Sequence, residues 1–233
     1  MSIRPALHRA IVNPAQSLSI DVVSDVVCPW CFVGKRHLEA ALHALPSDLA
    51  NTTVVVRWHP FELNPDLPRE GVDRQAYLET KFGGAERAAD RYERVREAGA
   101  RAGIEFRFER IARQPNTRDA HRLVAWAQDS GADASPLVEA LFRAYFLDGR
   151  FVGDRDELAS IAGEAGLDRE AARVHLASDA GIAEVVAAEQ HAGHLGISGV
   201  PFFIFNRKLA VSGAEPATVL AEAMVQAARA RAD

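Results

Sequence analysis

Cys28-Pro29-Trp30-Cys31 holds both cysteines of this 233-residue chain. They lie where an apolar, β-branched run gives way to helical spacing. Thiols so placed suit reversible disulfide chemistry, in which one thiolate attacks a disulfide and its neighbour resolves the mixed product. A helix starting at Pro29 puts Cys28 at its amino end, where unpaired N–H groups and the helix dipole favour an anion. Cys28 is therefore the expected nucleophile. Cys31, one turn further, is expected to be more buried, less ionised and resolving.

Half of a zinc site is the competing use of such a pair, and it normally needs a second ligand pair. His191 and His194, on one face of a helix, are the candidates to complete it. Pro29 and Trp30 suit a helix start better than a metal knuckle, so no metal and no organic cofactor is expected. Gly199-Val200-Pro201 precedes a strand-like Phe202-Phe203, and an X–Pro bond is the usual place for a cis peptide. If that strand runs antiparallel beside the first, Pro201 faces Cys28, and the Val200 backbone is free to pair with a substrate. A trans proline opening an edge strand is the alternative.

The elements that must position these groups follow the apolar periodicity. Leu18 to Asp25 reads as a buried strand. Phe32, Leu38, Ala41, Leu42 and Leu45 recur at helical spacing until Pro46, and Thr53 to Trp58 reads as a second, parallel strand. From residue 64 to 196 the period is helical throughout, with Asp154-x-x-Glu157 resembling a capping box. The charged run from Glu86 to Arg101 reads as a solvated helix face. Phe202 to Phe205, a tight turn at Asn206-Arg207 and Leu209 to Val211 read as a hairpin before a closing helix. The expected organisation is an arm over 1–17, β-α-β over 18–63, a helical insertion over 64–196 and β-β-α over 197–233.

Composition bounds the function. The chain is 48% apolar and 25% charged, with net charge −5 and pI about 5.9, so no basic field is available to hold nucleic acid. Residues 1–17 contain no apolar run of signal-peptide type and no stretch approaches a membrane span, which suggests a cytoplasmic protein with no membrane partner. The Ala-rich closing helix leaves a homodimer open.

Taken together, Ser24-Asp25 to Cys28-Pro29-Trp30-Cys31 with Gly34, Pro60-Phe61-Glu62-Leu63-Asn64-Pro65, Asn116-Thr117-x-x-Ala120-His121, Ala144-Tyr145-Phe146 and Gly199-Val200-Pro201-Phe202-Phe203 resemble the DsbA-like branch of the thioredoxin superfamily. Within it they resemble the FrnE-like proteins. The resemblance implies an α/β thioredoxin fold with a large all-helical insertion. It also implies thiol–disulfide exchange with protein or glutathione-like partners, Cys28 attacking, Cys31 resolving and Pro201 in cis.

Pro29, Trp30, Val200, Pro201 and Asn116 are the expected substrate-binding residues; His59 and His121 are weaker candidates for the same cleft. Trp30 stands where periplasmic DsbA enzymes commonly carry histidine, and an indole offers the thiolate no cation. A less acidic Cys28 and a less oxidising disulfide are therefore expected. The second cysteine pair of some FrnE-like proteins is absent, which excludes any relay through it. Glutathione-dependent isomerases and kappa-type transferases resemble the same architecture but typically carry serine at the first position. A non-catalytic metal-binding or chaperone-like module is the third reading.

Overall fold

A computed structural model describes residues 17–49 and 52–230. The expected arm, apart from Ser17, lies outside the described residues, as do 231–233.

The central sheet has the order β2-β1-β5-β6. Strand β1 (Ser17–Ser24) pairs in parallel with β2 (Thr53–Pro60), joined by α1 (Pro29–His43). On its other side β1 pairs antiparallel with β5 (Phe202–Phe205), which turns into β6 (Leu209–Ser212) and then α9 (Ala217–Arg229). Alternation along β1 sorts the sheet's faces. Leu18, Ile20 and Val22 pack in the main core with Phe32 of α1, Phe203, Phe205, and Leu220 and Met224 of α9. Val23 points the other way, into a smaller cluster with Ala192 and Ile197. The hairpin turn has positive φ at both Asn206 (50°) and Arg207 (56°). Mirror-image turns need that geometry, and asparagine tolerates it. Asn206 also ties the turn down, accepting from Ser19 N–H at 2.8 Å and donating to the Ala227 carbonyl at 3.0 Å.

Between β2 and β5 the chain forms α2 (Arg74–Phe82), α3 (Ala85–Arg101), α4 (Arg118–Asp129), α5 (Ser135–Phe146), α6 (Arg155–Glu164), α7 (Arg169–Ala177) and α8 (Ile182–His194). This insertion is not wholly helical. Val72–Asp73 (β3) and Arg113–Gln114 (β4) form a two-stranded ribbon. Each strand is two residues long, too short to leave a period in the sequence. At Asp154 only half of the expected capping box forms: its carboxylate accepts from Glu157 N–H at 2.9 Å, while the Glu157 side chain turns to Arg150.

The insertion shares the sheet's core. Phe32 stacks on Phe142 at 5.0 Å and meets Phe106 edge-on at 6.0 Å, joining α1 to α5 and to the loop after α3. Lys35, nearly sealed on α1, reaches Glu139 on α5 at 2.9 Å, and Arg36 pairs with the same carboxylate. Among the described residues no helix is long and apolar enough to cross a membrane.

Candidate active site

The site is built where β1 stops. Cys28 N–H donates to the Asp25 carbonyl at 3.0 Å, a tight turn that delivers Cys28 to the N-cap of α1 with extended backbone (φ −91°, ψ 111°). Its carbonyl accepts from Cys31 N–H at 3.0 Å, while Pro29, lacking an N–H, sits where none is needed. Both cysteines are thiols. Cys28 is 5% exposed and Cys31 1%. Burial pushes the Cys31 thiol well up, and contact with Cys28 pushes it further; the Ser24 side chain and the Asp25 backbone pull less strongly downward. Cys31 is thus held as a thiol beneath its partner.

Across the sheet end lies the Val200–Pro201 bond, which is cis. The Cys28 thiol donates to the Val200 carbonyl at 3.7 Å, and the Pro201 carbonyl accepts from Gly213 N–H at 2.8 Å. Antiparallel β1/β5 pairing accounts for the meeting, because it sets the start of one strand beside the end of the other. Trp30, 40% exposed, forms the outer lip.

A cavity of about 420 Å³ opens beside Cys28, bounded by Pro29, Trp30 and Val200 on the sheet side. The opposite wall comes from the insertion: Tyr77, Lys81 and Phe82 of α2, Arg91, Tyr92, Arg94 and Val95 of α3, and Gln114 of β4. The run 86–101 is therefore not merely a solvated face. Its Tyr92–Val95 edge, flanked by arginines, turns into the cleft, and only the docking of α3 against the sheet end reveals this. Aromatic residues spaced through 77–92 were the available signal. Among the described residues no aspartate or glutamate lines the cavity.

The remaining candidates lie elsewhere. Asn116 spends its amide on the chain, donating to the Pro65 and Leu67 carbonyls at 3.1 Å each and accepting from Arg118 N–H at 3.0 Å; it does not line the cavity. His59 pairs with Asp21 at 2.8 Å and shares a separate cavity with His191 behind the sheet. Cys28 and His191 thus face different spaces.

His121 is buried beneath the cysteine loop, its Nε2 3.4 Å from Asp25 Oδ1. Burial disfavours its charge, but the nearby carboxylates of Asp25, Glu62 and Glu189 override that and raise its pKa. Asp25 Oδ2 also accepts from Leu63 N–H at 2.8 Å, so one carboxylate fixes both the cysteine turn and the segment after β2. Glu62 pairs with Arg118 at 2.8 Å, yet burial and the neighbouring Glu189 push it up to about 7.

A model of the DSBA-like thioredoxin domain matches residues 19–225. The crystal structure of a probable DsbA oxidoreductase from Streptomyces coelicolor is 35% identical, covers 93% of this chain and 92% of that one, and superposes with a TM-score of 0.81. Bacillus subtilis YwbO is 29% identical over 159 residues, 65% of this chain and 68% of that protein. The cytosolic disulfide reductase DsbM of Pseudomonas aeruginosa, solved with GSH, shares the fold at 17% identity and TM-score 0.58, over 83% of this chain and 89% of that one.

Proposed function

The chain belongs to the DsbA-like thioredoxin family, and on that premise we propose that it is a thiol–disulfide oxidoreductase in which Cys28 attacks and Cys31 resolves. The observation that carries this reading is the asymmetry of the pair. Cys28 is the N-cap of α1, under the positive end of the helix and beside the Val200 carbonyl, while Cys31 is sealed and pushed toward its neutral form.

In the reducing direction the Cys28 thiolate attacks one sulfur of a substrate disulfide. A Cys28–substrate bond forms, the substrate's S–S bond breaks, and the first substrate thiolate leaves to take a proton from water. Cys31 then loses its proton and attacks the Cys28 sulfur, closing Cys28–Cys31 and expelling the second thiolate. Two electrons pass from the protein dithiol to the substrate. Written backwards, the same steps oxidise a dithiol. The Val200 backbone, next to the reacting sulfur, is the group that pairs with the substrate's own backbone or amide.

Trapping tests the roles. Cys31→Ser should accumulate mixed disulfides through Cys28, whereas Cys28→Ser should accumulate few. Equal trapping by the two variants overturns the assignment. Retention of both sulfurs favours redox exchange over the conjugation or isomerisation run by serine-bearing relatives of this architecture. A titration against glutathione redox buffers, followed by Trp30 fluorescence, then sets the direction of exchange.

A further inference from the structure

Arg74 opens α2 and is 5% exposed, yet it forms no ion pair among the described residues. Its Nη1 donates to Tyr145 Oη at 2.9 Å and Gln114 Oε1 at 3.2 Å, both neutral, and its Nη2 is sealed from solvent without a hydrogen bond among the described residues. The guanidinium lies over the Tyr92 ring at 5.1 Å and within 6 Å of Phe108 and Tyr145. Ring faces offset part of the desolvation of a buried cation but do not replace a counter-ion. A buried arginine without a carboxylate is a rare arrangement.

The residues that hold Arg74 identify where its counter-charge would enter. Tyr92 and Gln114 line the cavity beside Cys28, so Arg74 stands one side-chain layer behind that wall. Lys81, Arg91 and Arg94 line the same cavity, and none of them forms an ion pair among the described residues. Among the described residues Lys81 meets the Tyr77 hydroxyl and ring, and Arg91 the ring of Phe82. Three cations line this space and a fourth stands behind its wall, with no acidic lining among the described residues, in a chain whose net charge is −5. Such a cleft between low-dielectric walls concentrates a positive potential at the reacting sulfur.

We propose that this cavity receives a low-molecular-weight disulfide or thiol bearing carboxylates, with Arg74 as the buried counter-charge and Arg91 and Arg94 as the residues that select it. The proposal rests on the oxidoreductase reading and names the substrate class of that site. A space of about 420 Å³ matches a ligand of short-peptide size.

Full-length dithiol enzyme, given three small disulfides that differ in charge, decides the matter: 3,3′-dithiodipropionate (dianionic), bis(2-hydroxyethyl) disulfide (neutral) and cystamine (dicationic). Wild type should reduce the dianion with a kcat/KM on the order of tenfold above the neutral compound at low ionic strength, carried by KM, and the ratio should approach one in high salt. Arg74→Gln should lower that ratio. Should that variant fail to fold, Arg91→Glu with Arg94→Glu at the cavity mouth gives the same test, shifting preference toward cystamine. Equal handling of dianion and neutral disulfide, insensitive to salt and to these substitutions, overturns this proposal alone. Failure to reduce any of the three overturns this proposal; if Cys31→Ser also traps no mixed disulfide through Cys28, the oxidoreductase reading falls with it.

Discussion

The Pro201 ring lies against the backbone of Gly34: a Cβ on Gly34 would lie 2.8 Å from the Pro201 Cγ and 3.1 Å from the Phe203 ring. Helix α1 is pressed against the loop that faces Cys28, and hydrogen is the only side chain that fits between them. Gly34→Ala adds helix propensity but must push the proline ring away. The expected net result is a loss of about 1–2 kcal/mol, overpacking outweighing the helix gain. Disulfide exchange should slow by more than the lost stability explains, because the Val200 carbonyl moves relative to Cys28. Chemical denaturation and reductase rates on the same protein check this.

The two thiols should differ toward alkylation. With Cys31 pushed up by burial and by Cys28, iodoacetamide at neutral pH should modify Cys28 first, faster by on the order of tenfold or more. Peptide mapping of singly labelled protein reads the order. Preferential labelling of Cys31 would contradict the site as described.

Acid–base behaviour of the layer beneath the site gives a pH prediction with a definite sign. Glu62, raised from 4.5 to about 7, binds its proton more tightly folded than unfolded, so stability increases as pH falls through 7 toward 4.5. His121 is also raised; its contribution is present below the ordinary 6.5 and is lost as pH climbs through the folded value. Both act in the same direction, so the unfolding free energy should rise on going from pH 8 to pH 6. Glu62→Gln, still an acceptor for Arg118, should flatten that slope by about 1–2 kcal/mol over the interval. Urea unfolding at a series of pH values measures it.

At lower pH the sign reverses. Burial works against the charge on Asp119, but Arg155 and Arg122 hold its carboxyl below the usual range, and Arg36 with Lys35 do the same for Glu139. Stability from these groups is present above the ordinary carboxylate range and is lost as pH falls through their lowered values. Asp119→Asn should therefore lower stability at neutral pH and soften the acid transition below about pH 4.

Arg122 is wholly buried on α4 and donates to Asp119, to the Ala180 carbonyl at 2.8 Å, and to the carbonyls of His175 at 3.1 Å and Ser178 at 2.7 Å. It closes the end of α7 and the turn into α8. Arg122→Ala should cost roughly 3–5 kcal/mol, since several acceptors lose their donor in the interior. Arg122→Lys should recover only part, because an ammonium cannot reach acceptors spread across a planar fork. Thermal unfolding of both variants tests this.

How much of this was legible beforehand depended on the range of the interaction. The strand before Cys28, the helix after it and the Asn206-Arg207 turn rest on local propensity, and they lie where the residues placed them. Asn116 belonged to a recognisable segment, but its amide is spent on Pro65 and Leu67, a use visible only once two loops are neighbours. The ribbon at 72–73 and 113–114 escaped for a similar reason, since its strands find each other only after α3 has folded back.

The sequence by itself determined that the two cysteines sit in unlike settings, because a cysteine at a helix start and another one turn later differ in exposure and field whatever surrounds them. It also determined that Val200-Pro201 would open a strand. Only the tertiary structure decided what faces Cys28. Lys81, Arg91 and Arg94 look like ordinary surface charges in the chain, and Arg74 like a helix-opening residue. They become one cluster without a carboxylate partner among the described residues because α2, α3 and β4 are folded against the sheet end, and electrostatic potential depends on distance through space rather than along the chain.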